Sequence, residues 1–258
     1  MKTKAFAKIN IFLKITGLRG NYHELFSRFV RVKELFDLVS FEKKKSSDFE
    51  IEGNFSCKIE KNSIYKAYLL LKEIDNKTEK FFKEHKIKVD KNIPEFAGLG
   101  GGSSDAASFL LLANDVLQLK LSKEKLCFIG EKIGADVPFF IYGYESANVS
   151  GIGEVVEPFF ENTPSFEIFT PPIKCDTPLV YKKFRENLKG DLSILKKNRD
   201  LADELKNMNS RDILKEYNPK ILNDLFPPAL DLCKDLLNYQ NKMFFSGSGS
   251  SFFKVKDE

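Results

Sequence analysis

Residues 94–119 read PEFAGLGGGSSDAASFLLLANDVLQL, and the composition changes abruptly near Ser104. From Ser104 to Leu119 the chain is rich in Ala and Leu and apolar on most sides, which predicts a largely buried helix. Immediately before it stand Gly98, Gly100, Gly101 and Gly102, followed by the hydroxyls of Ser103 and Ser104. A side-chain-free loop opening a helix suits a polyphosphate. Glycines let the backbone approach the anion, while exposed N–H groups and the positive helix end attract it. The serine hydroxyls can add donors or, through water, reach a magnesium ion. No Lys follows the glycines, so this is no Walker A loop, and the spacing is not G-x-G-x-x-G. The plain alternative is a loose glycine loop at a helix start.

Upstream, Ile87 to Ile93 predicts a short strand, and Ile64 to Glu73 carries helical spacing behind Asn62, a residue suited to cap it. The chain begins with an alternation: Ala7, Ile9, Ile11, Leu13 and Ile15 share one strand face, Lys8, Asn10, Phe12 and Lys14 the other. A turn at Gly17 to Asn21 leads into Leu25 to Leu38. Leu38 to Phe41 and Phe49 to Ile51 read as strands around the turn KKKSSD, whose Lys43 to Lys45 run reads as a solvated turn. Downstream, Ser122 caps a predicted helix from Lys123 to Ile133. Gly134 stops it, and Asp136, Val137 and Pro138 connect into an apolar strand from Phe139 to Tyr142.

The segment PFFENTPS, from Pro158 to Ser165, reads as a linker, which divides the chain into residues 1–158 and 159–258. In the second part Glu167 to Thr170 predicts a strand, and Leu179 to Asn187, Asp191 to Asn207 and Ala229 to Leu237 predict helices. MFFSGSGSSFFKV predicts two strand-like runs around a Gly-rich turn. Both parts are mixed, so the fold class is α+β.

The chain has 258 residues, 42% of them hydrophobic and 30% charged, enough for a sizeable core and unlike a disordered or fibrous chain. Lys and Arg number 41 against 37 Asp and Glu, a net charge of only +4 that argues against nucleic acid as the main partner. Cys57, Cys127, Cys175 and Cys233 stand far apart, and His23 and His85 are the only histidines, which disfavours a structural zinc site. Lys8 and Lys14 interrupt any apolar signal-peptide core, and no stretch approaches a membrane span. A cytoplasmic protein with reduced thiols is expected.

Phosphoryl transfer also needs a group that orients or deprotonates the attacking hydroxyl and a cation that steadies developing charge. Asp136, between a helix stop and a proline, and Lys8, on a strand face beside Asn10, suit these tasks. Taken alone, Asp136 reads as a turn residue and Lys8 as a solvated strand residue.

PEFAGLGGGSSDAA resembles the signature of the GHMP kinases, named for galactokinase, homoserine kinase, mevalonate kinase and phosphomevalonate kinase. AKINIFLKITG with NYHEL, then GADVPFF, then FFSGSGSSFF narrow the likeness. Together they resemble the branch that phosphorylates the 2-hydroxyl of 4-diphosphocytidyl-2-C-methyl-D-erythritol in the non-mevalonate route to isoprenoid precursors. The resemblance runs from Ala7 to about Phe253. It implies a phosphotransferase with an alcohol acceptor that uses ATP with magnesium. It implies a ribosomal protein S5 domain 2-like first domain, a ferredoxin-like second domain and a cleft between them.

Carried over by motif, the resemblance implies Lys8 and Asp136 as the catalytic pair and Asn10 in the substrate pocket. Tyr22 and His23 would hold the cytosine, by stacking and by a hydrogen bond, and Thr177, Tyr181 and Lys182 in DTPLVYK would contact the substrate. For ATP it implies Asn62, Lys91, Pro94, Gly98, Leu99, Gly100, Gly101, Gly102, Ser103, Ser104 and Asp105, with Gly247 and Gly249 in the third-motif turn. Without the resemblance, Asn62 and Thr177 read as helix caps and Tyr181 as a packing residue. Asp105 stands where the family usually has Asn, so its charge would oppose phosphate unless it points away or pairs at the helix start. A mevalonate- or homoserine-type kinase should lack the AKINIFLK and NYHEL pair. A non-catalytic nucleotide- or RNA-binding module would not need the Lys–Asp pair.

Overall fold

Strand alternation at the start of the chain becomes one long strand, β1 (Lys2–Arg19), and after the Gly20–Asn21 turn a second, β2 (Tyr22–Lys43). The runs expected as separate strands on either side of Leu38 are thus continuous. β1 is covered on both faces: Ala7, Ile9, Ile11 and Ile15 are buried, and so are Lys8, Asn10 and Lys14 opposite. This removes the solvated reading of Lys8. The computed structural model describes residues 1–44, 48–240 and 243–256. Lys43 ends β2 exposed, while residues 45–47 of the expected solvated turn lie outside the described residues.

The chain forms two compact units. The first comprises Met1–Ala7, Lys33–Ile93 and Gly100–Gly143, and the second comprises Lys8–Val32, Pro94–Leu99 and the chain from Tyr144 onward. This differs from a single cut at residue 158, because pieces of the first part of the chain pack with the second unit.

Within the first unit the order is β3 (Ile51–Gly53), α1 (Ser63–Ile74), α2 (Asn76–Glu84), β4 (His85–Asp90), α3 (Gly101–Val116), α4 (Lys123–Glu131) and α5 (Val137–Tyr142). Leu38 to Lys43 of β2 pair antiparallel with Asp90 to His85 of β4, and β3 pairs parallel with β4. Asn62 caps α1 as expected, its side-chain oxygen accepting from the N–H groups of Ile64 and Tyr65. α2 escaped the sequence reading; Asp75 ends α1 and caps α2, so the two helices abut without a spacer to announce them. Phe41, Phe82 and Phe109 meet edge-on or tilted, and join the sheet to α2 and α3.

α5 corrects an expectation. Val137 to Tyr142 is helical, with Asp136 at its N-cap position and Gly143 closing it at φ 76°. Residues Val137 to Ile141 are buried on every side, and a six-residue apolar run has no periodicity to separate a buried helix from a buried strand. Pro138 in the first turn costs no hydrogen bond there.

In the second unit Leu25 to Val30 of β2 pair antiparallel with β5 (Ser146–Gly151), which pairs with β6 (Val155–Pro158). A separate sheet follows the order β7 (Phe166–Phe169), β9 (Phe252–Val255), β8 (Phe244–Phe245). Between β7 and β8 come α6 (Thr177–Asn187), α7 (Ser193–Leu205), α8 (Ser210–Glu216), α9 (Pro219–Leu222) and α10 (Phe226–Leu232). α10 ends five residues before the expected Leu237, and a 3₁₀ turn over Lys234–Tyr239 follows it. α8 and α9 were not foreseen, being too short to show helical spacing.

The segment after β6 is irregular, as expected of PFFENTPS, yet it is pinned. Glu161 accepts from the Ser146 and Ser210 hydroxyls and the Ser210 N–H, and the fully buried Arg28 lies 3.6 Å from it with its guanidinium stacked over Phe159. Nearby polar groups complete Arg28's shell: Asn148 Oδ1 and the Lys206 and Met208 carbonyls accept from it. A second buried knot ties Lys14 to Asp224, which also accepts from the Ile15 N–H and Asn198. Each knot thus gives its buried polar atoms partners, which offsets part of the cost of burying them.

Candidate active site

In the first unit, α3 starts at Gly101, three residues earlier than its Ala-rich composition suggests. Gly100 sits at the N-cap in the left-handed region at φ 72°, a conformation open to glycine, and no side chain among the described residues caps the helix. The first-turn N–H groups of such a helix have no intrahelical acceptor and carry the positive end of its dipole. The serines therefore lie inside the helix rather than before it: Ser103 is half-buried and Ser104 buried. Gly102 is exposed; a Cβ there would have only Ser63 Oγ within 4 Å, at 3.5 Å, while Ser63 Oγ donates to the Gly102 carbonyl at 2.6 Å. A Cβ on Gly101 would instead press on Ile93 at 3.0 Å, so this glycine faces inward.

Beneath this turn lies a buried ion triad. Lys91 donates to Asp105 at 2.7 Å and to Asp37, and Asp37 also accepts from the Asn92 and Ile93 N–H groups. Asp105 therefore pairs at the helix start, with one oxygen on Lys91 and the other sealed from water with no hydrogen-bond partner among the described residues. Burial pushes its carboxyl up to about 7, more than Lys91 pulls it down, and Asp37 adds to the rise. For Lys91 burial works downward, but Asp105 and Asp37 outweigh it and the ammonium ends above its ordinary value. Asp37 was missed in the sequence because nothing local marks it; its role comes from β2 passing beside residues 91–93. Also in this unit, Asp136 is half-buried at the start of α5, and its side chain does not cap that helix.

In the second unit the Lys8 side chain is buried in β1, donates to Asn10 Oδ1 at 2.7 Å and lies over the Phe29 ring. Asn10 in turn donates to Ser27 Oγ at 2.9 Å, and Ser27 donates to the Phe12 carbonyl. That chain fixes the Asn10 amide so that its oxygen faces the ammonium. Ser27, on β2, was not foreseen, because only strand pairing brings it opposite β1.

The Lys8 N–H donates to the Leu99 carbonyl, so residues 96–99 run beside β1. The Ser246–Gly249 turn closes on the same segment: Ser250 and Ser251 N–H groups donate to the Phe96 and Ala97 carbonyls, and Ser246 Oγ to Gly98 O. Gly98 (φ +72°) is indispensable to that approach, since a Cβ would lie 2.1 Å from Ser246 O. Thr177 and Ser248 share a 2.7 Å hydroxyl hydrogen bond, joining DTPLVYK to the same turn. Thr177 is the first residue of α6, whose cap is Asp176, accepting from the Leu179 N–H at 3.1 Å.

Tyr22 and His23 follow the Gly20–Asn21 turn and differ sharply: Tyr22 is 63% exposed and His23 is 8% exposed. The His23 ring lies 5.1 Å from Tyr181 and edge-on to Phe184 at 5.9 Å, both on α6. Burial, with a smaller push from the Arg185 charge, lowers His23 to about 4, so it is a neutral imidazole at pH 7. Tyr181 is half-buried beside the exposed Lys182.

Among the described residues no group of three or more His, Cys, Asp or Glu side chains is placed to hold a metal ion. What the arrangement offers is a helix N-terminus for an anion, a buried ammonium in an oriented amide network, and an aromatic corner around a neutral histidine. Residues 62–144 match the family described as the GHMP kinases N-terminal domain. A protein of Sulfurimonas denitrificans named 4-diphosphocytidyl-2-C-methyl-D-erythritol kinase is 53% identical over 99% of this chain and 97% of its own. One of Campylobacter jejuni with the same name is 45% identical over 98% of this chain and 99% of its own. The chain belongs to the 4-diphosphocytidyl-2-C-methyl-D-erythritol kinase family.

A crystal structure of a 4-(cytidine 5'-diphospho)-2C-methyl-D-erythritol kinase, 29% identical, superposes with a TM-score of 0.73 over all of this chain and 90% of the other. Methanococcus jannaschii mevalonate kinase, at 11% identity and a TM-score of 0.64 over all of this chain and 90% of the other, shares the fold. Membership in the 4-diphosphocytidyl-2-C-methyl-D-erythritol kinase family agrees with the α+β class and with the GHMP kinase fold. Of the residues singled out in the sequence, Asn62, Lys91, Gly100 to Asp105 and Asp136 fall in the first unit. Lys8, Asn10, Tyr22, His23, Pro94, Gly98, Leu99, Thr177, Tyr181, Lys182, Gly247 and Gly249 fall in the second.

Proposed function

We propose that the chain transfers the γ-phosphoryl group of ATP to the 2-hydroxyl of 4-diphosphocytidyl-2-C-methyl-D-erythritol. The observation that carries this reading is likeness along nearly the whole chain, at 53% identity, to a protein of that named activity. The uncapped, glycine-led start of α3 suits the triphosphate, with Gly98 to Asp105, Asn62, Lys91 and Pro94 on the ATP side and Gly247 and Gly249 in the third-motif turn. Magnesium would travel with the triphosphate and neutralise part of its charge, and the half-buried Ser103 hydroxyl, rather than the buried Ser104, suits its water shell. Residues 1–158 would form the ATP-binding and catalytic domain and 159–258 the substrate-binding domain, in the cytoplasm. Among the described residues no helix is long and apolar enough to cross a membrane.

In the catalytic step Asp136 accepts the proton of the 2-hydroxyl, the freed oxygen forms its bond to the γ-phosphorus, and the bond to the ADP oxygen breaks. The Lys8 ammonium, held by Asn10, offsets the charge that builds on the transferring oxygens. Tyr22 stacks on the cytosine and His23 bonds it. A neutral imidazole keeps both a donor and an acceptor nitrogen, which suits a base edge that also carries both. Thr177, Tyr181 and Lys182 take the remaining substrate contacts.

The test is a coupled assay of ADP release with 4-diphosphocytidyl-2-C-methyl-D-erythritol, mevalonate and homoserine side by side. Strong stimulation by the cytidyl substrate alone is expected. Turnover that ignores it sinks the proposal.

A further inference from the structure

Arg185 lies on α6, one turn beyond Tyr181 and directly after Phe184, the two rings packed against His23. Its Nη2 donates to the Gly20 carbonyl at 3.0 Å and to the Tyr22 carbonyl at 3.1 Å. Those carbonyls bracket the Gly20–Asn21 turn, which holds Gly20 at φ 58°. One guanidinium nitrogen thus ties the turn that carries Tyr22 and His23 to the helix that carries Tyr181. Tyr22 opens β2, and its side chain is largely exposed, so the strand ladder fixes its backbone but little packing fixes its ring. The arginine Nε is buried and has no partner among the described residues, so the head is held mainly through these two bonds. His23 Nε2 is likewise sealed from water, with no hydrogen-bond partner among the described residues.

We propose that Arg185 is a positioning residue for base recognition: by clamping the Gly20–Tyr22 turn onto α6 it sets the Tyr22 and His23 rings at the spacing the base requires. The proposal rests on the reading of Tyr22 and His23 as the base-holding residues. Arg185 touches neither the transferred phosphoryl group nor ATP in this scheme, so its effect belongs in the binding of the cytidyl substrate. Its charge has a second effect on the same ring. A cation so near opposes protonation of His23, as does burial among Tyr181 and Phe184, and the imidazole stays neutral. A lysine at the same place would keep the charge, but its shorter side chain would not bring its nitrogen to both carbonyls.

The experiment compares wild type, Arg185→Ala, Arg185→Lys and His23→Ala, each checked for its melting temperature. Steady-state constants for both substrates are measured, and the imidazole carbons are followed by NMR titration. With two histidines in the chain, His23 is assigned by loss of its signal in His23→Ala. Loss of two hydrogen bonds from a charged donor should raise the Michaelis constant for the cytidyl substrate about tenfold or more in Arg185→Ala. The turnover number and the constant for ATP should stay within about twofold. In the same variant the His23 titration should move up from about 4 by the smaller part of its shift, burial keeping the rest, while Arg185→Lys should keep it low yet still weaken substrate binding. If His23→Ala raises the Michaelis constant and a folded Arg185→Ala does not, the clamp is wrong and the base site stands. If neither variant moves it, the base site itself is wrong. An equal loss for ATP and the cytidyl substrate in both Arg185 variants would show a general structural role and overturn the proposal.

Discussion

Replacing Asp105 with Asn should stabilise the protein at alkaline pH and flatten its pH dependence. Asp105 is 2% exposed, shares one ammonium with Asp37, and leaves one carboxylate oxygen buried without a hydrogen-bond partner among the described residues. Two carboxylates and one lysine bury a net negative charge. Burial, partly offset by Lys91, accordingly lifts the Asp105 carboxyl from 3.8 to about 7. For an acid whose folded value is raised, the stabilisation is complete below the unfolded value and is lost as pH rises through the folded one. Using about 1.36 kcal/mol per tenfold change in proton affinity, wild type should lose on the order of 3 kcal/mol from this group between pH 5 and pH 8. Asn cannot ionise, so the variant should not lose it. The pull of Lys91 on the carboxylate is already contained in the value of about 7. Measured against wild type, Asp105→Asn should therefore gain about 3 kcal/mol of stability on going from pH 5 to pH 8. Urea unfolding of both proteins at pH 5, 6, 7 and 8 reads this directly, because the other titrating groups cancel in the difference. Parallel pH curves would mean that Asp105 is ionised throughout and that Lys91 alone settles its charge, which refutes the argument.

Asp136→Asn should lower the turnover number about 10²–10⁴-fold with little change in substrate affinity, and Lys8→Ala should be comparably damaging. Since the two act as a unit, the double variant should be little worse than the worse single one; additive losses in single-turnover assays would separate their roles. Gly98→Ala should destabilise by about 2 kcal/mol or more, seen in the melting temperature, because its Cβ meets Ser246 O at 2.1 Å in a left-handed backbone. Gly102→Ala, whose Cβ meets only Ser63 Oγ at 3.5 Å, should keep or raise stability by about 0.5–1 kcal/mol while raising the Michaelis constant for ATP. Unchanged ATP kinetics there would remove the start of α3 from the nucleotide site.

The strands and longer helices were legible because their cause is local: the alternation at Ala7 to Ile15, the capping Asn62 and Ser122, and the Ala-rich run of α3 each act within a few residues. Their edges were less so. α3 begins inside the glycines, since Gly100 can take the left-handed cap that ends the loop, and the apolar run Val137 to Tyr142 is a helix whose all-round burial from Val137 to Ile141 erased the periodicity that would have marked it. Charge was the least legible property. By sequence Lys8 and Asn10 fall on a polar strand face, and only the covering of both faces makes them a buried network with Ser27. Asp37, Arg28 and Arg185 carry no local signature at all. Their partners lie 54 residues away at Lys91, 120 at Asn148 and 165 at Gly20. The sequence by itself determined the motifs, their order and the chemistry that they can support. Tertiary structure decided which ionisable groups are buried together, because desolvation and Coulomb pairing depend on distances that chain order does not contain.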